Sequence, residues 1–139
     1  MSKALEYGLS ITLEEAKAVM TAAEQEAKNN GWAFAIAIVD AGGNLVLFQR
    51  MNNVQIGSVE VAKGKAVTAN NFKRSTKVFE DVVGGGGMGL RLLAMPGMFP
   101  LEGGEPILKD GKIIGAIGVS GMQSNQDGQV ARAGVGVVK

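Results

Sequence analysis

"WAFAIAIVDAGGNLVLFQR", residues 32–50, holds two short apolar runs separated by Ala41-Gly42-Gly43-Asn44. The runs are rich in β-branched and aromatic residues, and the short glycine-containing connection predicts an antiparallel hairpin, with one strand ending at Asp40 and the other at Arg50. "PILKDGKIIGAIGVSG", residues 106–121, predicts a second hairpin, in which Asp110-Gly111 supplies the positive φ angles of a type I′ turn. Gly115, Gly118 and Gly121 recur every third residue in its second strand. They leave little side chain there, so something must pack close, either a helix or a ligand.

Helical periodicity fills the rest of the chain. Leu13, Ala16, Val19, Met20, Ala23 and Ala27 form one stripe, opened by a capping box of Thr12 and Glu15 and closed at Gly31. Ile56, Val59, Ala62, Ala66 and Ala69 form another between Val54 and Phe72, with Lys63, Lys65 and Asn70 off the stripe. Ser75 or Thr76 can cap a turn or two through Val83, and Gly84–Gly87 then stops any helix. Ser124 can cap a last helix through Val130, Ala131, Gly134 and Val137. Two hairpins with helices between and around them favour an α+β domain with an antiparallel sheet over a doubly wound parallel one. At 139 residues the chain fits one domain, residues 1–139.

Composition narrows the chemistry. Fourteen Lys and Arg against 13 Asp and Glu leave a formal charge of +1, so no single-sign field draws a nucleic acid or a membrane surface. The absence of Cys removes disulfides and thiolate chemistry, and the absence of His removes histidine metal sites and Ser-His-Asp relays. No metal site is therefore expected. The N-terminal residues lack a basic segment followed by an apolar run, and no run reaches the ~18 residues of a membrane span, so a cytoplasmic location is expected.

Within "VVGGGGMGLRLLAMPGMFPLEGGEP", residues 82–106, the spacing Gly84-x-Gly86-x-x-Gly89 formally matches a dinucleotide fingerprint. A helix rather than a strand precedes it, and a four-glycine run fits many glycine patterns, so a loop is the better reading. Met88, Met95 and Met98, with Met51 and Met122, could line a pliable pocket or fill ordinary core. The amides of Gly103-Gly104, just before Glu105-Pro106, could face an anionic group, or the pair could simply turn the chain. Arg50 could bind a carboxylate or a neighbouring subunit, Asp40 suits a turn cap, and Lys65 could contact a ligand or sit on a solvated face.

"AIAIVDAGGNLVLFQRMNN", "AKGKAVTANNF", "GGEPILKDGKIIGAIGVSG" and "DGQVARAG", in this order and spacing, resemble the GlcG/HbpS family. Its members include glycolate-operon accessory proteins, extracellular haem-binding proteins and the C-terminal domain of PduO-type corrinoid adenosyltransferases. The resemblance implies a profilin-like fold with a central antiparallel sheet of about five strands flanked by helices, and dimers that often build octamers. It also implies a ligand site at Lys65, Thr68, Gly103, Gly104 and Pro106, with Arg50 nearby. Asn52 stands where the family usually has Asp. Haem-binding members commonly use histidine or a hydroxyl near the iron; here Thr68, Thr76 or a methionine sulfur would have to substitute. The expected function is an oligomeric small-ligand-binding accessory protein of a catabolic pathway, with haem or another tetrapyrrole as ligand. The alternative is an isomerase or lyase acting on a small carbonyl or carboxylate compound, with Lys65 or Asp40 moving protons and the Gly103-Gly104 amides holding an oxyanion. A purely structural role would leave the pocket filled by side chains.

Overall fold

The structure, a computed structural model, describes residues 4–139. Its chain order is α1 (Leu13–Asn30), β1 (Ala35–Asp40), β2 (Leu45–Arg50), α2 (Ser58–Asn71), α3 (Thr76–Gly84), a three-ten helix (Gly87–Ala94), β3 (Gly104–Lys109), β4 (Lys112–Ser120) and α4 (Ser124–Val135). The sheet has four antiparallel strands in the order β2-β1-β4-β3, so the two hairpins join along β1 and β4. Asp110 and Gly111 hold φ of 52° and 77°, as a type I′ turn requires.

Among the described residues the sheet has four strands rather than the five expected from the resemblance. β1 ends opposite Gly115, and beyond it the N-terminal segment lies along β4 through a single parallel bridge, Tyr7 to Ile113. The Gly8 amide donates to the Ile113 carbonyl at 2.8 Å, and the Ile113 amide to Glu6 at 2.8 Å. These contacts are too few to make a fifth strand.

Alternation along β1 and β4 separates two faces. Ile36, Ile38, Ile117 and Val119 pack with Val19, Met20 and Val130 of α1 and α4, a layer of large apolar side chains. On the other face Ala35, Ala37, Val39 and Ala116 meet Ala62, Ala66 and Ala69 of α2. A Cβ on Gly118 would run into the Ala62 carbonyl oxygen and the Ala66 nitrogen, so what packs against the spaced glycines here is a helix. Ile56, placed on the apolar stripe by its spacing, precedes α2 and is 83% exposed.

The capping box of α1 is formed as the sequence predicts, and Gly31 closes the helix in a left-handed conformation. Glu15 also accepts from the Lys109 ammonium at 2.7 Å, tying α1 to β3. That hydrogen bond, together with the Thr12 amide, lowers the Glu15 carboxyl from 4.5 to about 2. A depressed carboxylate stabilises the fold above its unfolded value, and the contribution disappears as pH falls from 4.5 toward 2. Denaturant titrations should show part of the acid-limb slope missing in Glu15→Gln. Salt should shrink the difference, since Lys109 is half exposed. For α4 the cap is Gln123, whose amide donates to Gln126 Oε1 at 3.2 Å, rather than Ser124, which is the first helical residue.

Candidate functional site

The residues singled out by sequence do not converge on one place. Lys65 lies on α2 but not on a solvated surface. It is 2% exposed, and its ammonium donates to Asp127 Oδ2 and to the Val119 carbonyl, both at 2.9 Å. Burial pushes the Asp127 carboxyl above its ordinary value, while the Lys65 charge and the Met122 N–H pull it back. Gly103 fits against this pair at φ 132°, where a Cβ would come within 2.8 Å of Lys65 Nζ. An L side chain is barred there both by space and by backbone conformation.

Gly104 follows, and its amide donates to Thr76 Oγ1 at 2.8 Å, so that amide is not available to an oxyanion. Thr68 is 1% exposed and its hydroxyl accepts the Phe99 amide at 3.0 Å. Both hydroxyls that might have replaced a histidine are therefore buried and engaged, Thr76 being fully buried. The ring of Phe99 lies against Gly64, where any Cβ would collide with it. Phe99 thus packs on α2 at Gly64 and Thr68, one helical turn apart.

The remaining candidates lie elsewhere. Asp40 Oδ1 accepts the amides of Gly42 and Asn44, both at 2.9 Å, and so builds the hairpin turn. It stands opposite Gly115, four residues along β4 from the Lys65 anchor at Val119, or roughly 13 Å away. The two residues proposed to move protons therefore do not meet. Arg50 is exposed on edge strand β2 opposite Ala35, itself opposite Ser120. That is two strand spacings from β4, about 10 Å. Pro106 is half-buried and lines a cleft of about 470 Å³ with residues other than these.

Two acidic residues of this region escaped the sequence reading. Asp127 is Lys65's partner. Glu102 is 4% exposed and accepts from Arg132 at 3.0 Å, with Lys77 3.8 Å away. One signal was present: Gly128 has no room for a Cβ because Glu102 occupies the space, and it follows Asp127 in "DGQVARAG".

The glycine run is not an open loop. Gly86 and Gly87 turn the chain at positive φ into the three-ten helix, which packs on α3. Together they present Val78, Val82, Met88, Leu90, Leu93 and Met95 to solvent, with Met88 75% exposed. Among the described residues no helix is long and apolar enough to cross a membrane, and no cluster of three or more His, Cys, Asp or Glu could hold a metal ion.

These features can be set beside known proteins. Protein GlcG of Escherichia coli K12 is 38% identical over 110 residues, covering 79% of this chain and 81% of GlcG. The crystal structure of HbpS superposes with a TM-score of 0.86 at 30% identity, over 100% of this chain and 97% of HbpS. A PduOC–haem complex gives 0.84 at 28% identity, over 94% and 96%. The family described as haem degrading protein HbpS-like matches residues 11–136. With that match running from the start of the core to the end of the last helix, the chain belongs to the HbpS-like family.

Proposed function

We propose that this chain is a self-associating binding protein for a tetrapyrrole such as haem, serving as an accessory protein to a catabolic pathway. The observation that carries the reading is the apolar surface of α3 and the three-ten helix. It exposes six apolar side chains on two packed elements, the kind of surface a flat macrocycle can cover, and Arg91 on the same three-ten helix offers a cation to propionates. Burial of the same surface between copies would account for self-association. The relatives support the ligand class, one of them having been solved with haem. The three-layer arrangement is compatible with a profilin-like fold.

With Thr68 and Thr76 engaged, the exposed thioethers of Met88 and Met95 are the side chains on this surface that would hold an iron-bearing ring, as soft sulfur donors. A bound haem would supply a redox-active iron, while the chain supplies apolar contact and orientation. Binding is favoured over the isomerase or lyase alternative because Lys65 is 2% exposed and its ammonium is held by Asp127 and the Val119 carbonyl, out of reach of a substrate.

Titration with haemin tests this. The Soret band should shift and sharpen with the wild-type protein, and Met88→Ala/Met95→Ala should weaken binding about tenfold or more while leaving the circular dichroism spectrum unchanged. Leu93→Glu should reduce particle mass in light scattering. A Soret response no larger than that of a non-binding control protein would remove the tetrapyrrole reading.

A further inference from the structure

The cleft that Pro106 lines is built from different residues. It lies between the α2–α3 junction, β3 and the end of α4, with Pro106, Leu108, Val135 and Val138 as apolar wall. Lys73 and Arg74 stand at its rim. Among the described residues neither takes part in an ion pair. Each is braced by an aromatic face instead: the Lys73 ammonium lies 5.0 Å from the Tyr7 ring centroid and the Arg74 guanidinium 5.7 Å from that of Phe79. Arg74 Nε donates to the Phe72 carbonyl at 2.9 Å, which fixes the plane of the guanidinium.

Lys73 holds φ of 60° just after α2, a place where glycine relieves the backbone. A cation therefore occupies a position that chain geometry alone would give to glycine. The carboxyl within the cleft, Glu105, accepts from Ser75 Oγ at 2.5 Å and so is directed at the hydroxyl. Burial pushes this carboxyl above its ordinary value and Glu102 adds to that, while Ser75 and Arg132 pull it back. Burial and Glu102 thus favour its neutral form, while Ser75 and Arg132 favour its charged form.

We propose that this cleft binds a small monocarboxylate with an apolar body, its carboxylate held by Lys73 and Arg74 and its body against Pro106, Leu108 and Val135. The volume suits a ligand of that size, and paired cations favour a carboxylate over a neutral polar group. None of these lining residues belongs to the apolar surface of α3 and the three-ten helix, so the two sites stand or fall separately.

Octanoate is the probe, followed by amide NMR shifts on isotope-labelled full-length protein, with 1-octanol as the neutral counterpart. Octanoate should move the signals of Ser75, Glu105, Leu108 and Val135, and octanol should bind about tenfold or more weakly. Lys73→Asn/Arg74→Gln should weaken octanoate about tenfold or more, asparagine being chosen because it tolerates a left-handed φ. The control Lys17→Gln/Lys63→Gln removes the same charge from α1 and α2 away from the cleft and should leave affinity unchanged. Three results overturn the proposal: no shifts in the cleft, shifts centred on α3 and the three-ten helix, or equal weakening by both double variants.

Discussion

Lys65→Met is expected to lower the free energy of unfolding by roughly 3–5 kcal/mol, the cost of stranding one member of a buried ion pair. Asp127 is only 3% exposed, and without the ammonium it keeps one polar partner, the Met122 amide at 3.1 Å. Methionine fills much the same volume, so the loss reports on charge more than on packing. Lys65→Met/Asp127→Asn should recover a large part of the deficit, because the asparagine is neutral and its oxygen can still accept from Met122. The sign of the pH dependence follows from the raised carboxyl. Below the unfolded value of Asp127 both states are protonated and the lysine variant carries no charge penalty. As pH rises through the folded value the penalty grows to its full size. Urea titrations at acidic and neutral pH measure both effects. A neutral-pH loss below about 1 kcal/mol in the single variant would contradict a buried, mutually dependent pair.

Gly118→Ala should rank next, at roughly 1–3 kcal/mol and toward the upper end. The added methyl meets the backbone of α2 at Ala62 and Ala66, which cannot rotate aside as a side chain could. The helix has to move off the sheet, and Ala35, Ala37, Ala62, Ala66, Ala69 and Ala116, all at 0% exposure, lose contact together. The urea midpoint should fall with little change in m. Trimming the opposing residue with Ala62→Gly should not restore stability, because the obstacle is a carbonyl oxygen. Rescue by that second change would show that the contact had been side chain to methyl.

The hairpins and the first helix were legible in the sequence because their determinants are local. Asp110-Gly111 fixes a two-residue turn by its own φ preferences, and Thr12, Glu15 and Gly31 mark both ends of α1 within one turn of each end. The close approach at Gly118 was legible as a vacancy, and only the structure supplied its occupant. Lys65 was misjudged because its partner is 62 residues away and belongs to the last helix. Spacing on α2 alone places it beside Lys63 as one more cation. Phe99 was missed for a related reason: Gly64, in the middle of a predicted helix, signalled a close neighbour but could not say which residue of the glycine-rich segment would reach it. The fifth strand was carried over from the resemblance rather than read from the N-terminal residues, whose pairing with β4 stops at one bridge.

The two faces of the sheet do not contribute equally to cohesion. Isoleucine, valine and methionine bury large areas beneath α1 and α4, whereas the α2 side has mainly methyl groups to offer. What fastens α2 is a set of single polar anchors: Lys65 to Asp127, Asn70 to the Ala41 carbonyl, and Ser120 to Ser58. Such bonds are short-ranged and directional, so they tolerate little displacement before they fail. Partial opening events in the native state should therefore begin with α2 lifting as a unit, while β4, bonded to strands on both sides, stays closed until the whole molecule unfolds.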